Sequence, residues 1–174
     1  MTIEIDQYHM EYAEKHCAAV RASIEGLKEW FTWVVPNYCL CDSIKFIEDQ
    51  SKQKNQNKYE YAIIDNDDGE FLGSCSLTKV KTYNGEQIAS MSYWRNQKSK
   101  KEHIGTIAAN KLKNKAFDEL GINRIEIDIA HCNKRSIGVA KNIGAKPERD
   151  ILIRGGDGKM HVGIRYVIEQ AVKE

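Results

Sequence analysis

Apolar positions fall into two alternating rhythms along the chain, and together they predict the order of its elements. Residues 2–5 read as a short first strand. Across residues 9–24, Met10, Ala13, Cys17 and Val20 recur at helical spacing and leave one face to bury. Gly26 is expected to interrupt that helix, and an aromatic segment, Leu27 to Trp33, follows before Pro36. A second helix is expected from Asp42 or Ser43, either of which can cap it, through Ile44, Phe46 and Ile47. The polar tract Gln50–Lys58 reads as its end and a loop.

The rhythm then shifts to period two. Tyr59–Ile64, Phe71–Val80 and Gln87–Trp94 read as strands, separated by turns at Asp65–Gly69 and Asn84-Gly85. Helical spacing returns in Ile104, Ala108, Leu112, Ala116 and Leu120, and Gly121 ends the run. Ile125, Ile127 and Ile129 alternate with charged partners as a strand. Residues 134–143 form a short helix closed by Gly144, and Ile151–Arg154 and Met160–Ile168 read as two final strands. The order β-α-α-β-β-β-α-β-α-β-β implies an α/β chain in which one parallel pair interrupts a mostly antiparallel sheet. Strands that diverge at such a point leave a cleft for a ligand.

At 174 residues the chain fits one domain, 1–174, without internal repeats or linkers. Its 26 basic and 25 acidic side chains leave a net charge of +1, which argues against bulk nucleic-acid binding. Five cysteines (Cys17, Cys39, Cys41, Cys75, Cys132) without regular spacing suggest reduced thiols rather than a disulfide framework. The N-terminal residues do not read as a signal peptide, and no apolar run approaches the roughly 18–20 residues of a membrane span, so a cytoplasmic address is expected. The five histidines show no metal-ligand spacing, and Cys39-x-Cys41 lacks a partner pair, so no metal site is expected. Gly155–Lys159 lacks the frame of a nucleotide-binding loop and fits a hairpin turn.

The chemistry concentrates between Ser90 and Gly144. A helix that starts at Ile104 after a loop bearing Lys98, Lys100 and Lys101 offers free backbone N–H groups and positive charge to a pyrophosphate-sized anion. The bland alternative is a solvated basic loop capped onto a helix. Asn133 and Ser136 sit at the start of the next helix, where polar residues also serve as simple caps.

These residues resemble a family. Residues 59–168 are similar to the GNAT superfamily, and within it to the RimJ/RimL-type acetyltransferases of protein N-termini. Tyr93-Trp94 matches the end of the fourth strand, and the Arg/Gln-x-x-Gly-x-Gly/Ala motif falls on Lys100, His103 and Gly105, followed by Thr106. The segment Ala116–Glu126 fits the helix end and next strand, Asn133, Ser136, Ala140, Lys141, Gly144 and Ala145 fit the later signature, and Trp30, Phe31 and Trp33 fit the early aromatic segment. Gly158-Lys159-Met160-His161 and Tyr166 fit near the C-terminus. Two positions depart. His103 replaces the central glycine, at a cost of about 1 kcal/mol if that position needs positive φ. Lys100 keeps a charge and loses the guanidinium fork.

The resemblance implies a GNAT acyl-CoA N-acyltransferase fold, a twisted sheet with helices on both faces, and acetyl-CoA as cosubstrate. It implies cofactor contacts from Tyr93, Trp94 and Arg95, from Lys100, Lys101, Glu102, His103, Ile104, Gly105 and Thr106, and from Asn133. Ser136 would donate to the departing sulfur, and Trp30, Phe31 and Trp33 would wall the acceptor site or pack as core. No general base stands out. Glu60, Glu70 and Asp128 are distant candidates whose ordinary role is surface solvation, and Cys132 reads as a buried structural cysteine. An α-amine, with a pKa near ~8, costs about 1 kcal/mol to deprotonate at pH 7, against roughly 4–5 kcal/mol for a lysine. That difference favours a protein N-terminal α-amine of the ribosomal-protein type as acceptor. The alternatives are a small-molecule amine (polyamine or antibiotic) and a GNAT-fold binding protein without catalysis. A monomer or a homodimer is expected.

Overall fold

A computed structural model describes residues 1–52 and 57–171. Its elements are β1 (Ile3–Asp6), a 3-10 turn at Met10–Tyr12, α1 (Ala13–Leu27), α2 (Leu40–Lys52), β2 (Tyr59–Asp65), β3 (Glu70–Tyr83), β4 (Glu86–Arg95), α3 (Ile104–Asp118), β5 (Arg124–Ala130), α4 (Lys134–Asn142), β6 (Lys146–Arg154) and β7 (Met160–Glu169). One sheet holds the strands in the order β1-β2-β3-β4-β5-β7-β6. Among the described residues only β4 and β5 pair in parallel, joined by the α3 crossover.

Two clusters of buried side chains cover the two faces. On one, Ile104, Ala108, Ala109, Leu112 and Ala116 of α3 and Ala140 of α4 meet Ile63, Leu77, Met91, Ile125 and Ile127. The small residues of α3 let its backbone lie close to the strands, and each larger aliphatic fully buried there contributes about 1.5–3 kcal/mol. On the other, α1 and α2 bring Val20, Leu27 and Ile47 against Ala62, Ile64, Phe71 and Trp94. Alternation within β2 and β4 sends neighbouring residues to opposite clusters, as the period-two pattern requires.

Several boundaries differ from the sequence expectation. Gly26 lies inside α1, where the Gln97 amide packs over its bare Cα. α2 begins at Leu40: Asp42 accepts from the Cys39 N–H at 2.8 Å, reaching back from the third helical position in half of a capping box. Ser43 is spent on His16. The expected loop Gln50–Lys58 starts later, since α2 runs to Lys52, and part of that tract lies outside the described residues. β6 starts at Lys146, well before Ile151; its exposed charged residues hid the strand, which is an edge and buries almost nothing. Asn84-Gly85 is a hairpin turn with positive φ at both residues, 50° and 84°.

Candidate active site

The sheet splits between β4 and β5. Their ladder runs only from Ile88 opposite Arg124 to Ser90 opposite Glu126, after which β4 continues beside β3 to Arg95 and leaves its β5-facing edge without a strand. Gly73 holds β4 in that course. A Cβ at Gly73 would lie 2.1 Å from the Trp94 carbonyl oxygen, so no other residue fits beneath it. α4 crosses the split. Asn133 caps it by accepting from the Ser136 N–H at 3.2 Å. The Tyr93 hydroxyl donates to the Ser136 carbonyl at 3.0 Å, and the Ser136 hydroxyl donates to the Tyr93 oxygen at 3.2 Å. Burial pushes the Tyr93 hydroxyl up to about 12, so it stays a neutral donor.

The loop from Arg95 to His103 folds on itself before α3. Ser99 is buried; the Arg95 guanidinium donates to its carbonyl at 3.1 Å, and its own hydroxyl accepts from the Lys101 N–H at 3.3 Å. Lys101 turns away from the helix mouth and meets Asp65 at 2.5 Å, Asp68 at 2.6 Å and Glu70 at 3.3 Å. The hydrogen bond from Lys101 holds the Asp65 carboxyl at about 2. His103 sits in the left-handed region at φ 56° and precedes α3 without a side-chain cap. The first hydrogen bond of the helix comes from Ile107 to the His103 carbonyl, which leaves the N–H groups of Ile104, Gly105 and Thr106 as free donors of the first turn. No acidic residue occupies that turn, and Lys98 and Lys100 are exposed beside it. Gly105 lets α3 approach α4, since a Cβ there would lie 3.2 Å from Val139.

A cavity of about 320 Å³ opens on the α1/α2 side of β3 and β4. Phe31, Trp33, Phe46, His16 and Trp94 form its aromatic wall, and Ser74, Ser76, Ser92, Lys58 and Glu60 supply its polar groups. His16 stacks on Phe46 with ring centroids 5.2 Å apart and shares a 2.9 Å hydrogen bond with Ser43; burial lowers it to about 4, so it is neutral at ordinary pH. Glu60 pairs with Lys58 at 3.1 Å. Burial raises the Glu60 carboxyl above its ordinary value, while the Lys58 charge and hydrogen bond pull it back.

An open anion-binding helix mouth, a strand edge freed by a split in the sheet, and a hydroxyl pair across that split together suit a long phosphorylated thioester. Residues 6–146 match the acetyltransferase (GNAT) domain family. The chain belongs to that family. As a GNAT acetyltransferase it is an acetyl-CoA-dependent acyltransferase. No curated protein matches it by sequence. Among solved structures the fold is similar to the microcin C7 self-immunity acetyltransferase MccE in complex with acetyl-CoA and AMP, at 21% identity and TM-score 0.85 over 97% of this chain and 93% of that one. It is also similar to Mycobacterium smegmatis RimJ in complex with CoA-disulfide, at 18% identity and TM-score 0.84 over 96% and 81%. The ribosomal L7/L12 α-N-protein acetyltransferase RimL in complex with coenzyme A follows at 16% identity and TM-score 0.81 over 97% and 94%.

Within this GNAT frame the expected residues separate. Tyr93, Arg95, Ile104, Gly105, Thr106, Asn133 and Ser136 gather around the split and the α3 mouth, with Lys100, Glu102 and His103 exposed on the approaching loop. Lys101 is a staple for the Asp65–Asp68 turn, and the Trp94 ring faces the aromatic wall, 6.2 Å from Phe71. Phe31 and Trp33 line the cavity; Trp30 does not, and packs instead against His161 at 5.2 Å. Asp128 is held by the Nε and Nη2 of Arg165, at 2.7 and 2.8 Å, and Glu70 by Lys101.

Three expectations fail outright. Cys39 and Cys41 are joined by a disulfide, their Cα atoms 5.3 Å apart at the bend into α2, within bridging range for residues so close in sequence. With Asp42 they form a compact donor group, but the bridge consumes both thiolates that a metal would need. Cys132 is exposed, because it stands in the turn before α4. Glu60 is a lining group of the cavity rather than a solvated one. Its signal was present in the alternation, since Glu60 shares parity with the buried Ala62 and Ile64. His16 was hidden by lying on a helix face that reads as ordinary core. Among the described residues no helix is long and apolar enough to cross a membrane.

Proposed function

We propose that this acetyltransferase moves the acetyl group from acetyl-CoA to a small-molecule primary amine that carries a flat, apolar portion, held in the cavity between the aromatic wall and strands β3 and β4. The observation that carries the reading is Glu60: a carboxylate largely withdrawn from water inside a cavity walled by Phe31, Trp33 and Phe46. An ammonium gains most from an acid in such a low-dielectric place, and rings stack on a flat substituent. About 320 Å³ falls at the lower end of small-ligand pockets. The free amides of Ile104 to Thr106, with Lys98 and Lys100, would hold the diphosphate, and the free edge of β4 from Met91 to Arg95 would hold the pantetheine arm. The Tyr93–Ser136 pair would face the sulfur as it leaves.

A protein N-terminal α-amine is the second reading, favoured by the likeness to RimJ and RimL and by a cavity that admits one terminal residue. A panel tests both: tryptamine, spermidine, an aminoacyl adenylate analogue, and peptides beginning with Ser or Ala, each with acetyl-CoA and thiol release as readout. Faster turnover of tryptamine or the adenylate analogue than of the peptides and spermidine is expected. Peptides outrunning both ring-bearing amines would replace the first reading with the second. No turnover with any member, and no calorimetric binding of acetyl-CoA, would defeat both.

A further inference from the structure

The cross-strand register places three polar side chains in a single row. Glu60 of β2 lies opposite Ser76 of β3, and Ser76 lies opposite Ser92 of β4. Opposed residues of antiparallel strands share one face and stand about 4.5–5.5 Å apart, within reach of a carboxylate and a hydroxyl. The Ser76 and Ser92 hydroxyls are already hydrogen-bonded, at 2.8 Å, and either can donate. All three residues line the cavity. The row therefore runs from a withdrawn acid to the strand whose far edge is free beyond Ser90, two residues before Ser92. Ser74 and Thr78 flank Ser76 on the same face of β3, and Thr78 stands opposite Ser90, so the Ser76–Ser92 pair is distinguished by its direct hydrogen bond and by Glu60 at its end.

We propose that Glu60, acting through the Ser76 and Ser92 hydroxyls, is the proton exit of the acyl transfer. The inference rests on the proposed acceptor site. The amine arrives as an ammonium. Ser92 accepts one proton from nitrogen as its own passes to Ser76 and that of Ser76 passes to the Glu60 carboxylate. The neutral nitrogen then bonds to the acyl carbon, the carbon–sulfur bond breaks with its electron pair on sulfur, and the second nitrogen proton balances that sulfur as thiol. One proton is left on Glu60 and returns to water past Lys58. Ser76 and Ser92 each give up one proton and gain one, so the row resets unchanged.

The groups that bear on Glu60 are few. Lys58, just before β2, stabilises the carboxylate at 3.1 Å, and Lys58 in turn sits 5.9 Å over the Phe46 ring of α2. Cys75 of β3 is fully buried, its thiol pushed up well beyond the ordinary range, and it stays neutral. Tyr8, whose hydroxyl is buried without a hydrogen-bond partner, also stays neutral, as does His16 of α1 above about 4. Cys75, Tyr8 and His16 being neutral, the acidic limb of the profile is assigned to Glu60.

The test is the pH–rate profile of three variants, with the fastest acceptor of the panel above. Glu60→Gln is expected to lower kcat/KM about 100-fold at pH 7, to lose the acidic limb, and to approach the wild-type rate once the pH exceeds the acceptor's own pKa. Glu60→Asp should recover part of the loss, and Ser76→Ala with Ser92→Ala should fall at pH 7 and recover at high pH in the same manner. Calorimetric affinity for acetyl-CoA should stay unchanged in all three. An unaltered profile in Glu60→Gln, a loss of equal size at every pH, or a serine pair replaced without effect would each overturn the relay. Those outcomes leave the wild-type ranking of acceptors intact, whereas failure of the acceptor reading changes that ranking or abolishes turnover.

Discussion

Replacing Tyr93 with Phe tests what the split in the sheet does for the leaving group. A hydroxyl that ionises at about 12 is too weak an acid to hand a whole proton to a thiolate whose thiol ionises near ~8.5. That transfer runs uphill by roughly 5 kcal/mol. Tyr93 is therefore expected to stabilise the departing sulfur by hydrogen bonding, worth about 1.5–3 kcal/mol toward an anion. To do so it must leave the Ser136 carbonyl, at present 3.0 Å away, and forfeit a neutral bond worth about 1 kcal/mol. The difference, roughly 0.5–2 kcal/mol, corresponds to a loss of about tenfold in kcat for Tyr93→Phe. The acetyl-CoA dissociation constant should barely move, and the loss should be equal across pH 6–9 because the hydroxyl stays protonated. Ser136→Ala removes the donor that polarises Tyr93 and should cost less than Tyr93→Phe. Stopped-flow thiol release with calorimetric titration of the coenzyme measures both. A Tyr93→Phe enzyme as fast as wild type, or one slowed more than a thousandfold, would refute the argument; Ser136→Ala proving the more harmful change would reverse the two roles.

The strained residue before α3 gives a stability prediction. His103→Val should lower the melting temperature by several degrees, since a β-branched side chain fits φ 56° worse by about 1–2 kcal/mol, while His103→Gly should move it little; equal melting temperatures for Val and wild type would contradict the left-handed assignment. The Lys101 staple gives an acid-stability prediction. Asp65 ionises at about 2 in the fold and near ~3.9 unfolded, so its charge favours the fold above pH 4 and that contribution disappears as pH falls through about 2. Lys101→Met removes the cause and should shift the acid-unfolding midpoint, followed by circular dichroism, to higher pH; an unmoved midpoint would show that the staple is idle. Trp33→Ala should raise the acceptor KM about fivefold or more, while Trp30→Ala, outside the cavity, should leave it unchanged.

Much of the architecture is legible in the chain because periodicity and burial share one cause. The run Ile104 to Ala116 repeats on a helical face, and that face is buried against the sheet; Tyr59 to Asp65 alternates, and its two parities enter two different clusters. The boundaries that sequence reading missed lie where burial is weak. β6 is an exposed edge strand of charged residues, and α2 starts before the residue that caps it. Within the site, the proposed coenzyme half is contiguous in the chain. A basic loop and a helix start stand next to each other in the sequence, and the family resemblance marks them, while the left-handed turn at His103 comes from the fold. The acceptor half is assembled from α1, α2, β2, β3 and β4, and no stretch of sequence places Glu60 beside Ser76 or Trp33. Lys101 shows the converse. Its position in the loop suggests a phosphate contact, and only the fold reveals three carboxylates waiting for it.

The pleat of β4 explains why a single strand can serve both halves of an acyl transfer. Successive side chains alternate in direction, so Ser92 and Trp94 share one parity while the Tyr93 hydroxyl reaches α4 and Ser136, and Tyr93 borders the cavity as well. In the proposed mechanism the proton leaving nitrogen and the hydrogen bond reaching sulfur would be carried by side chains of opposite parity on one strand. The two sets of groups do not compete. Tyr93 stays protonated to about 12, and its hydroxyl is engaged with Ser136 rather than with Glu60. The arrangement makes the relay and the hydroxyl pair energetically independent, so Glu60→Gln and Tyr93→Phe should combine additively within about 0.5 kcal/mol in a double-mutant cycle on kcat/KM. A coupling above 1 kcal/mol would mean that one of the two side chains acts on the other's side of the strand.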